Sequence, residues 1–175
     1  MRYCVIDFET TGLDPNRAEV VEFAAVRVDT DAGPGGETGL HIASLCKPLS
    51  PIPPEVTRVH GITDRMVRFA DPFSAYLPSM LDFIGEDTLA AHNLPFDSGF
   101  LRAYCARAGI RFDPPGLCTL RMSRRLYPHI PSHALSAVAA HLGVKNGTYH
   151  RALGDAMTTA RILLLMLKET SSNVK

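Results

Sequence analysis

The stretch CVIDFETTGL, residues 4–13, reads as a buried β-strand, yet it carries Asp7 and Glu9. Side chains alternate across a strand, so residues two apart share a face. Two carboxylates therefore leave the same face of a segment otherwise built from Val, Ile and Phe. Their Cα atoms stand about 6.5–7 Å apart at a rise near 3.3 Å per residue. Carboxylates ~5 Å apart repel by roughly 3 kcal/mol at an effective dielectric near 20. Three arrangements relieve that repulsion: basic partners, protonation of one acid, or a divalent cation between the two.

Further acids bear on the choice. Asp97 lies in the first turn of PFDSGFLRAYCARAG (95–109), which reads as a helix with Pro at its start and Gly at its end. The apolar stripe of that helix is Phe100, Leu101, Tyr104, Cys105 and Ala108, and Asp97 precedes Phe100 and Leu101 by three and four residues, on the inward side. Taken alone, it reads as a dipole or capping acid. Asp155 sits early in the last helix, on the side of Thr159 and Ile162, but that helix is apolar nearly all round and defines no face. His150 precedes Asp155 by five residues, ~140° away on a continuous helix. The two converge only if His150 lies in the loop before the helix, which the glycine-containing turn NGTYH (146–150) permits. Taken alone, a histidine there reads as structural. Together the residues fit one purpose. Hard cations such as magnesium and manganese take carboxylate oxygens and water. Two such ions about 3.5–4 Å apart activate a water and stabilise the leaving oxygen of a phosphodiester. A histidine, which titrates near neutrality, can take the water's proton.

The elements that must position these residues follow from periodicity and punctuation. Strands are predicted over 2–10, 19–29 and 40–47, with DAGPGGETG (31–39) as a hairpin tip that lacks both GxGxxG and GK[ST]. Short helices are predicted over 53–59 and 72–84, a fourth strand over TLAAHN (88–93) and a short fifth over GLCTL (116–120). In SHALSAVAAHLG (132–143), Leu135, Val138, Ala139 and Leu142 follow helical spacing, with Ser132 to cap the start and Gly143 the end. The final helix is predicted over 151–169. This order predicts an α/β sheet with an antiparallel part at one edge.

Composition excludes several function classes. The 175 residues suit one domain, predicted over 1–170 with a short tail at 171–175. The net charge is zero, so any polyanion must be held by a local patch or by metal ions. Cys4, Cys46, Cys105 and Cys118 lie far apart with no CxxC pair, which argues against a zinc ribbon and for buried thiols in a reducing cytosol. The first residues read as strand rather than secretory signal. The run ILLLML (162–167) is far short of the roughly 20 apolar residues that span a bilayer. A cytoplasmic location and no membrane partner are the resulting expectations.

The motifs DFETTGL (7–13), HGIT (60–63), AHNLPFDSGFL (91–101) and HRALGDA (150–156) resemble, in order, those of the DEDDh 3′–5′ exonucleases. That family includes the proofreading epsilon subunit of bacterial DNA polymerase III, ribonuclease T and oligoribonuclease. TLRMSRRLYPHIPSHALSAVAAHLGV (119–144) is similar to the epsilon-type branch. The resemblance covers essentially the whole chain. It implies a ribonuclease-H-like α/β fold, a five-stranded mixed sheet flanked by helices. It implies that Asp7, Glu9, Asp97 and Asp155 hold two magnesium or manganese ions and that His150 is the general base. A related branch places tyrosine four residues before the last acid; here that position is Arg151, and Tyr149 stands six before. By match, Thr10, Thr11, Gly12 and Leu13 line the pocket for the 3′-terminal nucleotide, with His60, Asn93 and Phe96 as further candidates or as packing around it. Arg121, Arg124 and Arg125 share one helical face, suited to phosphates or simply to solvent.

The expectation is a metal-dependent exonuclease releasing 5′-mononucleotides from the 3′ end of single-stranded or frayed DNA, in proofreading or repair. An exoribonuclease of the same family is the alternative. A non-catalytic nucleic-acid-binding or polymerase-associated module is the alternative of another class, and the presence of all four acids and the histidine argues against it. Only six residues follow Glu169, against the long polymerase-binding tail of the epsilon subunit, so a free-standing nuclease is expected, or one recruited through its folded surface.

Overall fold

A computed structural model describes residues 1–32, 37–145 and 150–172. Five strands, β1 (Arg2–Thr10), β2 (Val20–Asp29), β3 (Glu37–Leu45), β4 (Thr88–Ala91) and β5 (Gly116–Cys118), form one sheet in the order β3-β2-β1-β4-β5. The β1–β2 and β2–β3 pairs are antiparallel, while β1–β4 and β4–β5 are parallel. The antiparallel edge expected from the sequence is therefore present. Around the sheet run α1 (Pro54–His60), α2 (Asp64–Val67), α3 (Phe73–Ile84), α4 (Leu94–Arg107), α5 (Thr119–Leu126), α6 (Leu135–His141) and α7 (Ala152–Ser172).

Alternation along β1 sorts the core into two layers. Cys4, Ile6 and Phe8 pack with Phe73, Leu77, Phe100 and Leu101 of α3 and α4. Tyr3 and Val5 face the other way, against Ala152, Ala156, Ala160 and Leu163 of α7. Alanine at four-residue spacing forms a flat stripe that lets α7 lie close on β1 and β2. Asp7 and Glu9 continue the Tyr3–Val5 series, so they leave the strand on the α7 side.

Several boundaries differ from those expected. The fourth strand stops at Ala91 rather than 93, because Asn93 takes a left-handed backbone (φ 76°) as the residue that starts α4. The fifth stops at Cys118, and Thr119 already begins α5. Helix α6 is shorter than the predicted 132–143. Ala134 occupies its cap with no side-chain bond, and the Ser132 hydroxyl accepts the Ala134 N–H (3.3 Å) in the preceding turn. Its far end behaves as expected: Gly143 is left-handed (φ 67°), and Val144 N–H reaches the Ala139 carbonyl (2.9 Å). Strand β3 starts three residues earlier than predicted and ends at Leu45; the short α2 has no counterpart among the elements predicted from the sequence. The expected hairpin tip (31–39) and the turn before α7 (146–150) lie partly outside the described residues, as does the tail beyond 172, and so does Tyr149. All four cysteines are buried free thiols. Among the described residues no helix is long and apolar enough to cross a membrane.

Candidate active site

The C-terminal end of β1, the start of α4 and the start of α7 meet at one end of the sheet. Asp97, 3% exposed, reaches from α4 to accept the Phe8 N–H on its Oδ1 (2.9 Å). That bond docks α4 on the strand between Asp7 and Glu9. On the other face, Asp155 accepts the backbone N–H of His150 on its Oδ2 (3.0 Å). His150 is left-handed (φ 57°) and stands just before α7, not within it. This loop position is the one the sequence required for convergence. One ligand atom each from Glu9, His150 and Asp155 lie within 4.8 Å of one another.

The carboxylates strain each other electrostatically. Burial raises the Asp7 pKa well above its ordinary value, and the charges of Asp97, Glu9, Asp155 and Glu22 add to it. Glu9 is pushed up to about 7, first by burial, then by Asp155 and Glu22, with Arg151 opposing. Asp97 is raised by burial and by Glu9, against the Phe8 N–H and its own backbone N–H. Burial raises Asp155 too, while the His150 N–H opposes. Of the three remedies for the Asp7–Glu9 repulsion, basic partners are weak here: Arg151 acts on Glu9, but its guanidinium is already engaged by Glu22. A donor set of carboxylate oxygens and one imidazole, left with surplus negative charge, fits a hard divalent cation.

The loop after β1 is braced from within. Thr10 Oγ1 donates to the Gly12 carbonyl (2.6 Å). Thr11 N–H donates to the Glu19 carbonyl (2.8 Å), while its Oγ1 accepts the Glu19 N–H (2.9 Å). Gly12 lies close to the loop's return, where a Cβ would stand 3.4 Å from that of Ala18. Leu13 is left 85% exposed. His60, the last residue of α1, is buried; its Nδ1 accepts the Ile62 N–H (3.0 Å), which leaves the proton of the neutral ring on Nε2. Among the described residues that Nε2 has no hydrogen-bond partner. Burial holds the His60 pKa down, against the Thr10 backbone and Glu22, and His150 lowers it further, so His60 belongs to the same neighbourhood. Asn93 is exposed at the start of α4, and Phe96 is half-buried against Phe100 (ring centroids 5.1 Å).

Two sets of residues were not legible in the sequence. Glu22 of β2, directly opposite Glu9, holds Arg151 and the Ala152 N–H. His92 is wedged between Thr119 Oγ1 (3.0 Å) and the His133 carbonyl (2.9 Å), and His133 Nδ1 meets Ser123 Oγ (3.0 Å). This braces the turn that presents Asn93. Arg121, Arg124 and Arg125 are exposed on α5, and no ion pair engages them among the described residues. Arg121 and Arg125 join Arg102 along a groove of about 740 Å³ beside β5.

Against known proteins, the RNase_T family, described as Exonuclease, matches residues 4–163. The chain is an exonuclease of the RNase T family. This exonuclease is 33% identical over 168 residues to DNA polymerase III subunit epsilon of Aquifex aeolicus (strain VF5), covering 95% of the chain and 81% of that protein. It is 33% identical over 167 residues to DNA polymerase III PolC-type of Clostridium perfringens (strain 13 / Type A), of whose length it spans 11%. Its fold matches exonuclease X in complex with 5′-overhanging duplex DNA at a TM-score of 0.75 and 27% identity, over 97% of this chain and 93% of that one. The nuclease domain of 3′hExo, a DEDDh family member bound to rAMP, matches at a TM-score of 0.79 and 23% identity, over 96% and 92%, and shares the ribonuclease-H-like fold.

Proposed function

We propose that this exonuclease removes 5′-mononucleotides from the 3′ end of single-stranded or frayed DNA, with divalent cations, in proofreading or repair. The observation that carries the reading is the convergence of Glu9, His150 and Asp155 within 4.8 Å, beside Asp7 and a buried Asp97. Asp7, Glu9, Asp97 and Asp155 would hold two ions, magnesium or manganese, which when bound neutralise charge on the phosphoryl oxygens and acidify water. His150 takes the proton from the attacking water; its place before α7 leaves it exposed to solvent rather than buried with the acids. Leu13 presses on the terminal base, and the main chain at Gly12 accepts a close approach of the sugar. Asn93 and Phe96 border the next nucleotide at the start of α4. His60, buried and oriented by the Ile62 N–H on its Nδ1, packs in the neighbourhood of the Thr10 main chain beneath that pocket. Arg121, Arg124 and Arg125 offer phosphate contacts that a chain of zero net charge cannot supply globally.

The choice of DNA rests on the relatives, which by name are subunits and forms of DNA polymerase III. The reading also has the protein act in the cytoplasm. Matched DNA and RNA oligomers, single- and double-stranded, with the purified protein and manganese test the substrate. Preferential shortening of single-stranded DNA supports the proposal, and exclusive shortening of RNA establishes an exoribonuclease instead.

A further inference from the structure

Glu22 stands in register with Glu9 across the antiparallel β1–β2 pair, next to the point where the register shifts between Glu9 and Thr10. Directly opposed side chains share a face, and like charges there destabilise a sheet. A fifth carboxylate therefore sits against the four acids, almost buried at 7% exposure. Its countercharge comes from the far end of the chain. Arg151 Nε lies 3.1 Å from both Glu22 oxygens, and a terminal guanidinium nitrogen lies 2.7 Å from Oε1. The same carboxylate accepts the Ala152 N–H on Oε2 (2.9 Å). This N–H is among the first of α7, whose N-terminus favours negative charge.

The sequence position of these contacts gives them meaning. Arg151 directly follows His150, and Ala152 is the first residue of α7. His150 is left-handed, a conformation unfavourable for a non-glycine residue that persists only where the surroundings hold it. Two anchors do so. Asp155 takes the His150 N–H, and Glu22 grips the two residues that follow. Arg151 is 44% exposed, so the pair adds little to folding stability, but its forked geometry fixes direction.

We propose that Glu22 and Arg151 are positioning residues that set the His150 ring against the carboxylates. They act through His150 and touch neither substrate nor metal. The inference rests on the reading of His150 as the group that takes the water's proton.

The test uses the full chain as Glu22→Gln, Arg151→Ala, Arg151→Lys and the Glu22→Gln/Arg151→Ala double variant. Three properties are read: kcat and KM on a 3′-ended oligonucleotide, Mn2+ affinity by titration, and amide hydrogen exchange over residues 150–156. Glu22→Gln and Arg151→Ala should each lower kcat about 10–100-fold. KM should stay within about twofold of the parent, and Mn2+ affinity should change far less than kcat, because the four acids and the pocket remain in place. The double variant should match the worse single one, since both break one clamp. Arg151→Lys should recover part of kcat, and exchange at His150 and Ala152 should quicken. Thermal unfolding shows that each variant is folded, and Arg151→Lys carries the test if Glu22→Gln is not. Unchanged kcat with unchanged exchange would overturn the clamp, as would additive losses or a fall in Mn2+ affinity as large as the fall in kcat. If the parent chain shows no metal-dependent cleavage, the functional reading fails by itself. The exchange arm still decides whether Glu22 and Arg151 hold the His150 segment.

Discussion

Replacing Glu9 by glutamine should stabilise the metal-free protein near pH 8 while abolishing cleavage. Ligand oxygens of Glu9 and Asp155 lie within 4.8 Å, which at an effective dielectric near 20 is about 3.5 kcal/mol of repulsion. The Glu9 pKa, raised from 4.5 to about 7 first by burial and then by Asp155 and Glu22, puts burial and repulsion together at about 3 kcal/mol. Solvent at this partly exposed group reduces the net effect to about 1–3 kcal/mol. The sign follows from linkage. A carboxyl group with a raised folded-state pKa binds its proton more tightly in the native state, so stability falls as pH rises between 4.5 and about 7. Below that window the group is protonated in both states and the variant gains nothing. Above it the full cost applies, and the glutamine, which cannot ionise, avoids it. For a chain of this size the gain is about 2–12 °C in melting temperature. The assay is thermal unfolding in excess chelator at pH 4 and pH 8, repeated with Mn2+. In chelator the variant should melt higher at pH 8 and level with the parent at pH 4. With Mn2+ the parent should gain more, because binding to the native state stabilises it. Equal melting at pH 8 in chelator, or a difference that persists at pH 4, would show that the ionised Glu9 carboxylate is not penalised by burial and its acidic neighbours.

Three further outcomes follow from the same site. His150→Ala should lower turnover about 10²–10⁴-fold with Mn2+ affinity retained, measured by single-turnover cleavage and metal titration; joint loss of metal would make His150 a ligand instead. Leu13→Ala removes an 85% exposed side chain, so melting should not move, while KM on single-stranded DNA should rise about tenfold if burial against the base contributes about 1.5 kcal/mol. Alanine at Arg121, Arg124 and Arg125 together should weaken oligonucleotide binding and flatten its salt dependence by about 0.7 for each phosphate no longer neutralised, read by titration across salt concentrations.

The reach of the sequence can be traced through particular residues. Alternation along residues 4–10 placed Asp7 and Glu9 on one face, and the structure has them there because β1 is central and paired on both sides. The inward setting of Asp97 followed from helical spacing alone, and the structure buries it. The distance of His150 from Asp155 in helical angle required a loop, and the chain provides one. The Glu22–Arg151 clamp was not legible, because its partners are 129 residues apart and meet only through the register of β1 on β2 and the docking of α7. The one local signal was a glutamate inside the otherwise apolar run VVEFAAV (20–26). The left-handed turn at Asn93 escaped for a related reason: TLAAHN has strand-like composition, but His92 beside that turn is braced by Thr119 and His133 from two later segments.

The proposed metal-dependent cleavage from the 3′ end depends on the clustered carboxylates and His150. The measurement that tests it most directly follows a 5′-labelled single-stranded DNA through digestion with Mn2+ and with excess chelator. With Mn2+ the ladder should recede stepwise from the 3′ end and release 5′-mononucleotides, and chelator should stop digestion. Full digestion in chelator, or efficient cutting of a closed circular single strand, would contradict the proposal.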